Sequence, residues 1–186
     1  MDIAVSHEHL AYFVTRHCIS RGDLEELPEA DVIQLRAKDL DAGELLLRAR
    51  RLRGRFQGTL LINDRLDLCL AAGADGVHLP SHRIAPSVLK DRFGSHLMIG
   101  VSCHSLDDVL RAAAEGADYA YLSPIFESAS KPGYGPALGV AALAAAVARV
   151  KIPVLALGGI TQANEKLCMD AGAAGIAGIS YFDHLG

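Results

Sequence analysis

The polar residues that follow the short apolar runs of this chain are rich in cations, hydroxyls and bare backbone amides, a mixture suited to anions. Gln34, Arg36, Lys38 and Asp39 follow one run, Asn63-Asp64-Arg65 another, and His78 with Ser81-His82-Arg83 a third. Ser102-Cys103-His104 and Ser123 follow two more. Ser123 opens the stretch SPIFESASKPGYGPALGV (123–140), in which Ser128, Ser130 and Lys131 stand among glycines and prolines. Gly158-Gly159 precede a predicted helix with Thr161 as its cap, and glycine amides at a helix start form an anion site. Ile179 and Ser180 end the last apolar run. Together these residues point to a phosphate, with Arg36, Lys38 and Lys131 as its cations and the glycines letting the 123–140 loop close over it. Each piece alone has a plainer reading: a tight turn for Gly158-Gly159, an ordinary surface loop for 123–140. Asp64 is the acid placed to meet such an anion. It can hold a divalent cation through oxygen ligands, or pair with Arg36 or Arg65.

Positioning these groups requires a repeating frame. The segments LAAGADGVHLP (70–80), AAEGADYAYLSP (113–124) and MDAGAAGIAGIS (169–180) resemble one another. Each reads as a helix end, a glycine that lets the chain leave the helix through the left-handed region, and then a strand. Eight apolar runs are predicted strands: 11–15, 31–36, 59–63, 76–79, 97–102, 119–123, 153–159 and 175–180. They lack strict alternation, as parallel strands buried on both faces do. Helical patterns separate most of them, with Asp41, Ser105 and Thr161 as N-caps. This is the pattern of repeated βα units, and the count of eight predicts an α/β fold, a (β/α)8 TIM barrel, over one domain spanning 1–186. A doubly wound open sheet is the rival. The barrel is expected to be abbreviated, its first helix stunted within RHCISRGDLEELPEA and its last essentially absent after residue 180. A wall left bare in this way predicts a homo-oligomer. In such barrels the strand carboxyl ends carry the chemistry, and the loops after strands seven and eight commonly hold phosphate. The polar residues above fall at those ends.

Composition narrows the partners. A chain of 186 residues, 51% hydrophobic, suffices for one well-buried core. A net charge of −4 argues against nucleic acid, which needs a dense basic face. Arg48, Arg50, Arg51, Arg53 and Arg55 cluster on a predicted helix and read as a solvated face. No run approaches the roughly 20 apolar residues of a membrane span, and MDIAVSHEHL lacks the basic-then-apolar order of a secretory signal. A cytoplasmic location is expected. Cys18, Cys69, Cys103 and Cys168 are scattered without metal spacing and read as reduced core residues.

Six stretches in order resemble the family of thiamine-phosphate synthase and its relative, the thiazole tautomerase. They are Gln34-Leu35-Arg36-Ala37-Lys38, Ile62-Asn63-Asp64, Gly73 to Leu79, Gly100-Val101-Ser102-Cys103-His104-Ser105, Ser123 to Lys131, and Ala156-Leu157-Gly158-Gly159-Ile160. The resemblance implies a (β/α)8 barrel that joins an aminopyrimidine methyl diphosphate to a thiazole phosphate with release of diphosphate. It implies that Arg36, Lys38 and Lys131 are catalytic cations on the diphosphate, that Gln34, Asn63 and Ser102 bind substrate, and that Asp64 carries Mg²⁺. Ser128 and Ser130 stand where the family has threonines holding the thiazole phosphate, with Gly159, Ile179 and Ser180 completing that cup. The expected partners are the small phosphorylated substrates of thiamine synthesis.

The chain departs from each branch of the family. Arg83 stands where synthases place a second metal-binding aspartate, and Leu79-Pro80-Ser81 is similar to the tautomerase branch. Ser123-Pro124 is synthase-like, at the place where tautomerases carry an acid-base histidine. Three activities therefore remain in view: a synthase in which Arg83 supplies part of the metal's charge, an isomerase with His82 or His104 as a relocated base, and a barrel that binds thiamine or thiazole phosphate without turnover.

Overall fold

Short aliphatic and β-branched runs, each stopped by Gly, Asp, Pro or a polar pair, alternate along the chain with stretches of helical periodicity. The computed structural model describes residues 10–15, 30–38, 40–127 and 136–178. The runs become strands β1 (Leu10–Thr15), β2 (Val32–Leu35), β3 (Thr59–Asn63), β4 (Gly76–Leu79), β5 (Met98–Cys103), β6 (Tyr119–Leu122), β7 (Val154–Leu157) and β8 (Gly175–Gly178). Between β2 and β8 lie α1 (Ala42–Arg55), α2 (Leu66–Ala72), α3 (Pro86–Phe93), α4 (Leu106–Ala114), α5 (Gly139–Val147) and α6 (Glu165–Asp170). The segments expected to hold the stunted first helix and to lack the last one lie outside the described residues, as do Ser128, Ser130, Lys131, Ile179 and Ser180.

The strands pair in parallel in the order β1 to β8, and β8 returns to β1 along Leu10–Phe13 and Gly175–Gly178. The pairing order is sequential and never reverses, which removes the open doubly wound sheet and leaves a TIM-like α/β barrel. Strand side chains alternate between two apolar environments. Val32, Leu61, Tyr119, Tyr121, Leu155 and Ala177 form an inner cluster, while Ile33, Leu35, Leu60, Ile62, Ala120, Leu122, Val154 and Ala156 belong to the larger outer core under the helices. Burial on both faces explains the near-continuous apolar runs.

Helix faces follow the same logic. In α1, Leu45, Ala49 and Leu52 recur at helical spacing and are buried. Asp41 caps it by accepting from the Glu44 amide at 2.8 Å, and Ser105 caps α4 by accepting from the Asp108 amide at 3.1 Å. Thr161 does not cap its helix. α6 begins only at Glu165, and the chain before it is a turn in which the Asn164 side chain accepts from the Thr161 amide at 2.8 Å. Arg50, Arg51 and Arg55 are exposed as expected, but Arg53 is not merely solvated. It pairs with Asp75 at 2.6 Å and donates to the carbonyls of Phe56 and Gly58. Cys69, Cys103 and Cys168 are buried free thiols, with burial pushing Cys69 and Cys103 up to about 12 and Cys168 up to about 11. Among the described residues, no helix is long and apolar enough to cross a membrane.

Candidate functional site

Above the inner apolar cluster, toward the strand carboxyl ends, the inward positions turn polar. Two residues beyond Val32 and Leu61 stand Gln34 and Asn63, and the Gln34 amide nitrogen donates to the Asn63 side-chain oxygen at 3.0 Å. Asn63 is in register with His78, and His78 with Gly100. His78 is buried and bonded at both edges: Nδ1 lies 2.9 Å from the Tyr119 hydroxyl and Nε2 lies 2.8 Å from Ser102 Oγ. Its face stacks on Tyr121 with ring centroids 4.2 Å apart. Burial first, and then the nearby Arg36 charge, pushes the imidazole down to about 3, so it is neutral at physiological pH. Gln34, Arg36, Asn63 and Ser102 thus meet around one mouth, Arg36 and Ser102 half-buried and Lys38 exposed beyond them.

Asp64 sits at the end of β3 with φ at 55°, a left-handed conformation that Asp tolerates better than most residues. Its amide donates to the His78 carbonyl at 2.9 Å, tying the ends of β3 and β4 together. The ion pair its carboxylate forms is with Arg83, which is not among the expected partners. Arg65 pairs with Asp67 at 2.6 Å, and Asp64 pairs with Arg83 at 3.0 Å, their side chains 27% and 61% exposed. Mg²⁺ is usually held by one or two carboxylates together with waters and substrate phosphates. Here one carboxylate faces a guanidinium, and no group of three His, Cys, Asp or Glu side chains with metal-binding geometry occurs among the described residues. Asp64 could help hold Mg²⁺ beside a substrate phosphate only by releasing Arg83.

The Gly158-Gly159 turn owes its glycines to two constraints at once. Both φ values are positive, at 96° and 66°. A Cβ on Gly159 would come within 2.4 Å of the Glu127 carbonyl, and one on Gly158 within 2.9 Å of Pro124. The 124–127 segment therefore lies directly on this turn, with the Phe126 amide donating to the Gly158 carbonyl at 3.0 Å. The same segment receives the far end of the loop, since the amides of Leu138 and Gly139 donate to the carbonyls of Pro124 and Ile125. The described residues on either side of 128–135 thus both lie at the carboxyl end of β6, with Glu127 beside Gly159. His104 is held as a structural group, Nδ1 at 2.9 Å from the Ser123 carbonyl and its amide on Asp108. His82 is exposed.

The sequence alone did not single out Tyr119 or the bonding of His78. Both depend on parallel register across three strands. The one visible signal was Tyr119 and Tyr121 alternating in a run otherwise built of small and aliphatic residues.

Comparison with known proteins agrees with this architecture. Residues 12–182 match the family model described as thiamine monophosphate synthase. The chain is 44% identical to thiamine-phosphate synthase of Methanoculleus marisnigri, covering 91% of this chain and 85% of that one. It is 37% identical to thiamine-phosphate synthase of Chloroflexus aurantiacus, covering 97% and 88%. Among solved structures, a thiamine phosphate pyrophosphorylase from Pyrococcus furiosus superposes with a TM-score of 0.75 at 31% identity, covering 92% of this chain and 85% of that one. The chain belongs to the thiamine monophosphate synthase family, and its place is in thiamine biosynthesis with a thiamine-phosphate synthase-like function.

Proposed function

We propose that the barrel mouth binds an aminopyrimidine methyl diphosphate and a thiazole phosphate and joins them with release of diphosphate. The methylene–oxygen bond breaks with its electron pair leaving on diphosphate, and the thiazole nitrogen supplies the pair for the new carbon–nitrogen bond. The protein's work is then to neutralise charge on the departing diphosphate and to hold two rings in contact. Arg36, Lys38 and Lys131 take the first task, with Ser102 donating to a diphosphate oxygen. Gln34 and Asn63 orient the pyrimidine side. Ser128, Ser130, Gly159, Ile179 and Ser180 form the cup for the thiazole phosphate. The observation that carries this reading is the polar layer of Gln34, Asn63 and His78-bound Ser102 set beneath Arg36 at the carboxyl ends of adjacent strands.

Mg²⁺ is the family's expected aid, yet Asp64 is engaged by Arg83, so no step is assigned to a metal here. Arg83 contributes positive charge at the edge of the same mouth. Thiamine phosphate formation from the two substrates, followed with and without a chelator, tests the proposal. Product formed in both conditions supports it. Thiazole phosphate binding without product, whatever the metal, overturns it in favour of isomerisation or simple binding.

A further inference from the structure

His78 is a buried imidazole to which the proposed reaction gives no chemical step, yet it is held more completely than packing requires. His78, Gly100 and Tyr119 are register partners on β4, β5 and β6. β4 and β6 are not neighbours, so Tyr119 must reach across β5 to touch His78. It does so through the space left by Gly100, where a Cβ would lie 1.9 Å from Tyr119 Cζ and 2.2 Å from its hydroxyl. Ser102, two residues beyond Gly100 on the same strand face, takes the other ring nitrogen. Tyr121, in register with Ser102, covers the ring face. Both edges and one face of the imidazole are thereby fixed.

A neutral imidazole offers one donor and one acceptor nitrogen, so the two hydrogen bonds must run in one direction. A phenol, with a pKa near 10, is a better proton donor than an alkyl hydroxyl. Tyr119 O–H is therefore the group that donates to Nδ1, which leaves the ring proton on Nε2. Nε2–H then donates to Ser102 Oγ, and the serine proton is directed away from the ring toward the mouth. In the opposite direction Ser102 would give its proton to Nε2 and present only lone pairs, which repel an anionic oxygen.

We propose that Tyr119 and His78 are positioning residues that fix the Nε2–H tautomer and thereby make Ser102 an obligate hydrogen-bond donor to an anionic phosphate oxygen. The ligand half of this proposal rests on the diphosphate reading of the mouth; the tautomer does not. Inorganic pyrophosphate titrated calorimetrically into wild type, Ser102→Ala, Tyr119→Phe and the double variant tests the ligand half. Each single change is expected to weaken binding about tenfold, the scale of a hydrogen bond to a charged oxygen, and the double variant to bind no more weakly than Ser102→Ala. Wild-type affinity in Tyr119→Phe, or losses that multiply in the double variant, overturns the relay. Long-range ¹H–¹⁵N correlation of the His78 ring in wild type at pH 7 tests the tautomer independently of any ligand. A proton on Nε2 supports the proposal, and a proton on Nδ1 overturns it. A wild type that binds no pyrophosphate sinks the diphosphate reading, and the tautomer result then decides the relay by itself.

Discussion

The two ends of the barrel use their polar residues differently. At the amino end, the carboxylates of the repeated Gly-Ala-Asp segments are engaged by strand amides and helix cations. Asp75 accepts from the Leu60 amide at 2.7 Å and from Arg53 of α1 at 2.6 Å. Asp118 accepts from the Ile99 amide at 2.6 Å and from Lys90 of α3 at 2.6 Å. Each ties a strand start to a helix. The third copy has Ala174 at this place and keeps only the backbone bond, from its amide to the Val154 carbonyl at 2.9 Å. At the carboxyl end the polar groups are also held, but by contacts that leave them facing the mouth. Arg83 remains 61% exposed on Asp64, and the His78 network terminates in a serine. One end ties strands to helices, and the other carries the polar groups proposed to meet a ligand.

The sharpest way to break this division is Asp118→Ala. It strands the amide of fully buried Ile99 and removes the carboxylate from Lys90, which keeps the Leu97 carbonyl. We expect a loss of about 2 kcal/mol, seen as a melting temperature about 4–8 °C lower for a chain of this size. Pyrophosphate affinity should not change. A folded Asp118→Ala protein with affinity reduced tenfold would mean that the two ends are not separable.

At the other end, the stability cost of a positioned group appears as a pH dependence. His78 is held near 3 when folded and returns to about 6.5 in the unfolded chain. Below pH 6.5 the unfolded state binds a proton that the native state refuses, so stability falls as pH drops from 6.5 toward 3, by up to about 1.4 kcal/mol per unit. The groups facing the ring are Tyr119 and Tyr121 of β6, Ser102 of β5 and the Arg36 charge beyond β2. Urea unfolding of wild type and His78→Gln between pH 4.5 and 7 isolates the effect from carboxylates common to both. The variant should lack this part of the slope, and parallel curves would show that the imidazole titrates natively.

A smaller effect sharpens the metal question. Arg83→Asp places a second carboxylate beside Asp64 and removes the cation that occupies it. Mn²⁺ binding, read by paramagnetic broadening, should tighten about tenfold or more over wild type, since carboxylate count sets affinity at oxygen sites. Equal binding in the two proteins would mean that Asp64 exchanges Arg83 for a metal without hindrance.

Much of this contrast was legible in the sequence, because periodicity and punctuation are local. The eight strands appear within a residue or two at most ends, and Asp41 and Ser105 cap the helices they precede. The residues expected to bind substrate, Gln34, Arg36, Asn63 and Ser102, fall at one mouth because strand ends in a parallel barrel converge. What the sequence withheld depends on register and on which long side chain wins a partner. Asp64 pairs with Arg83, while Arg65 is turned to Asp67. Tyr119 reaches His78 only because Gly100, in register between them, has no side chain. The Thr161 cap failed because the 161–164 turn is closed by Asn164 instead.

The smallest expected effect asks whether a charge pair matters merely by existing. Lys166 and Asp170 pair at 2.8 Å one turn apart on α6, their side chains 81% and 58% exposed. They resemble the Lys90–Asp118 pair in distance, but neither bonds a strand amide and water screens both. Lys166→Ala should cost no more than about 0.5 kcal/mol, with a melting temperature lowered by under about 2 °C and pyrophosphate affinity intact. α6 is only six residues long and buries Cys168 against the core, so its stability should come from that packing. A loss above about 1 kcal/mol would show that so short a helix depends on its surface pair. Charge count would then have to be weighed alongside the strand-amide contacts that distinguish the amino end of the barrel.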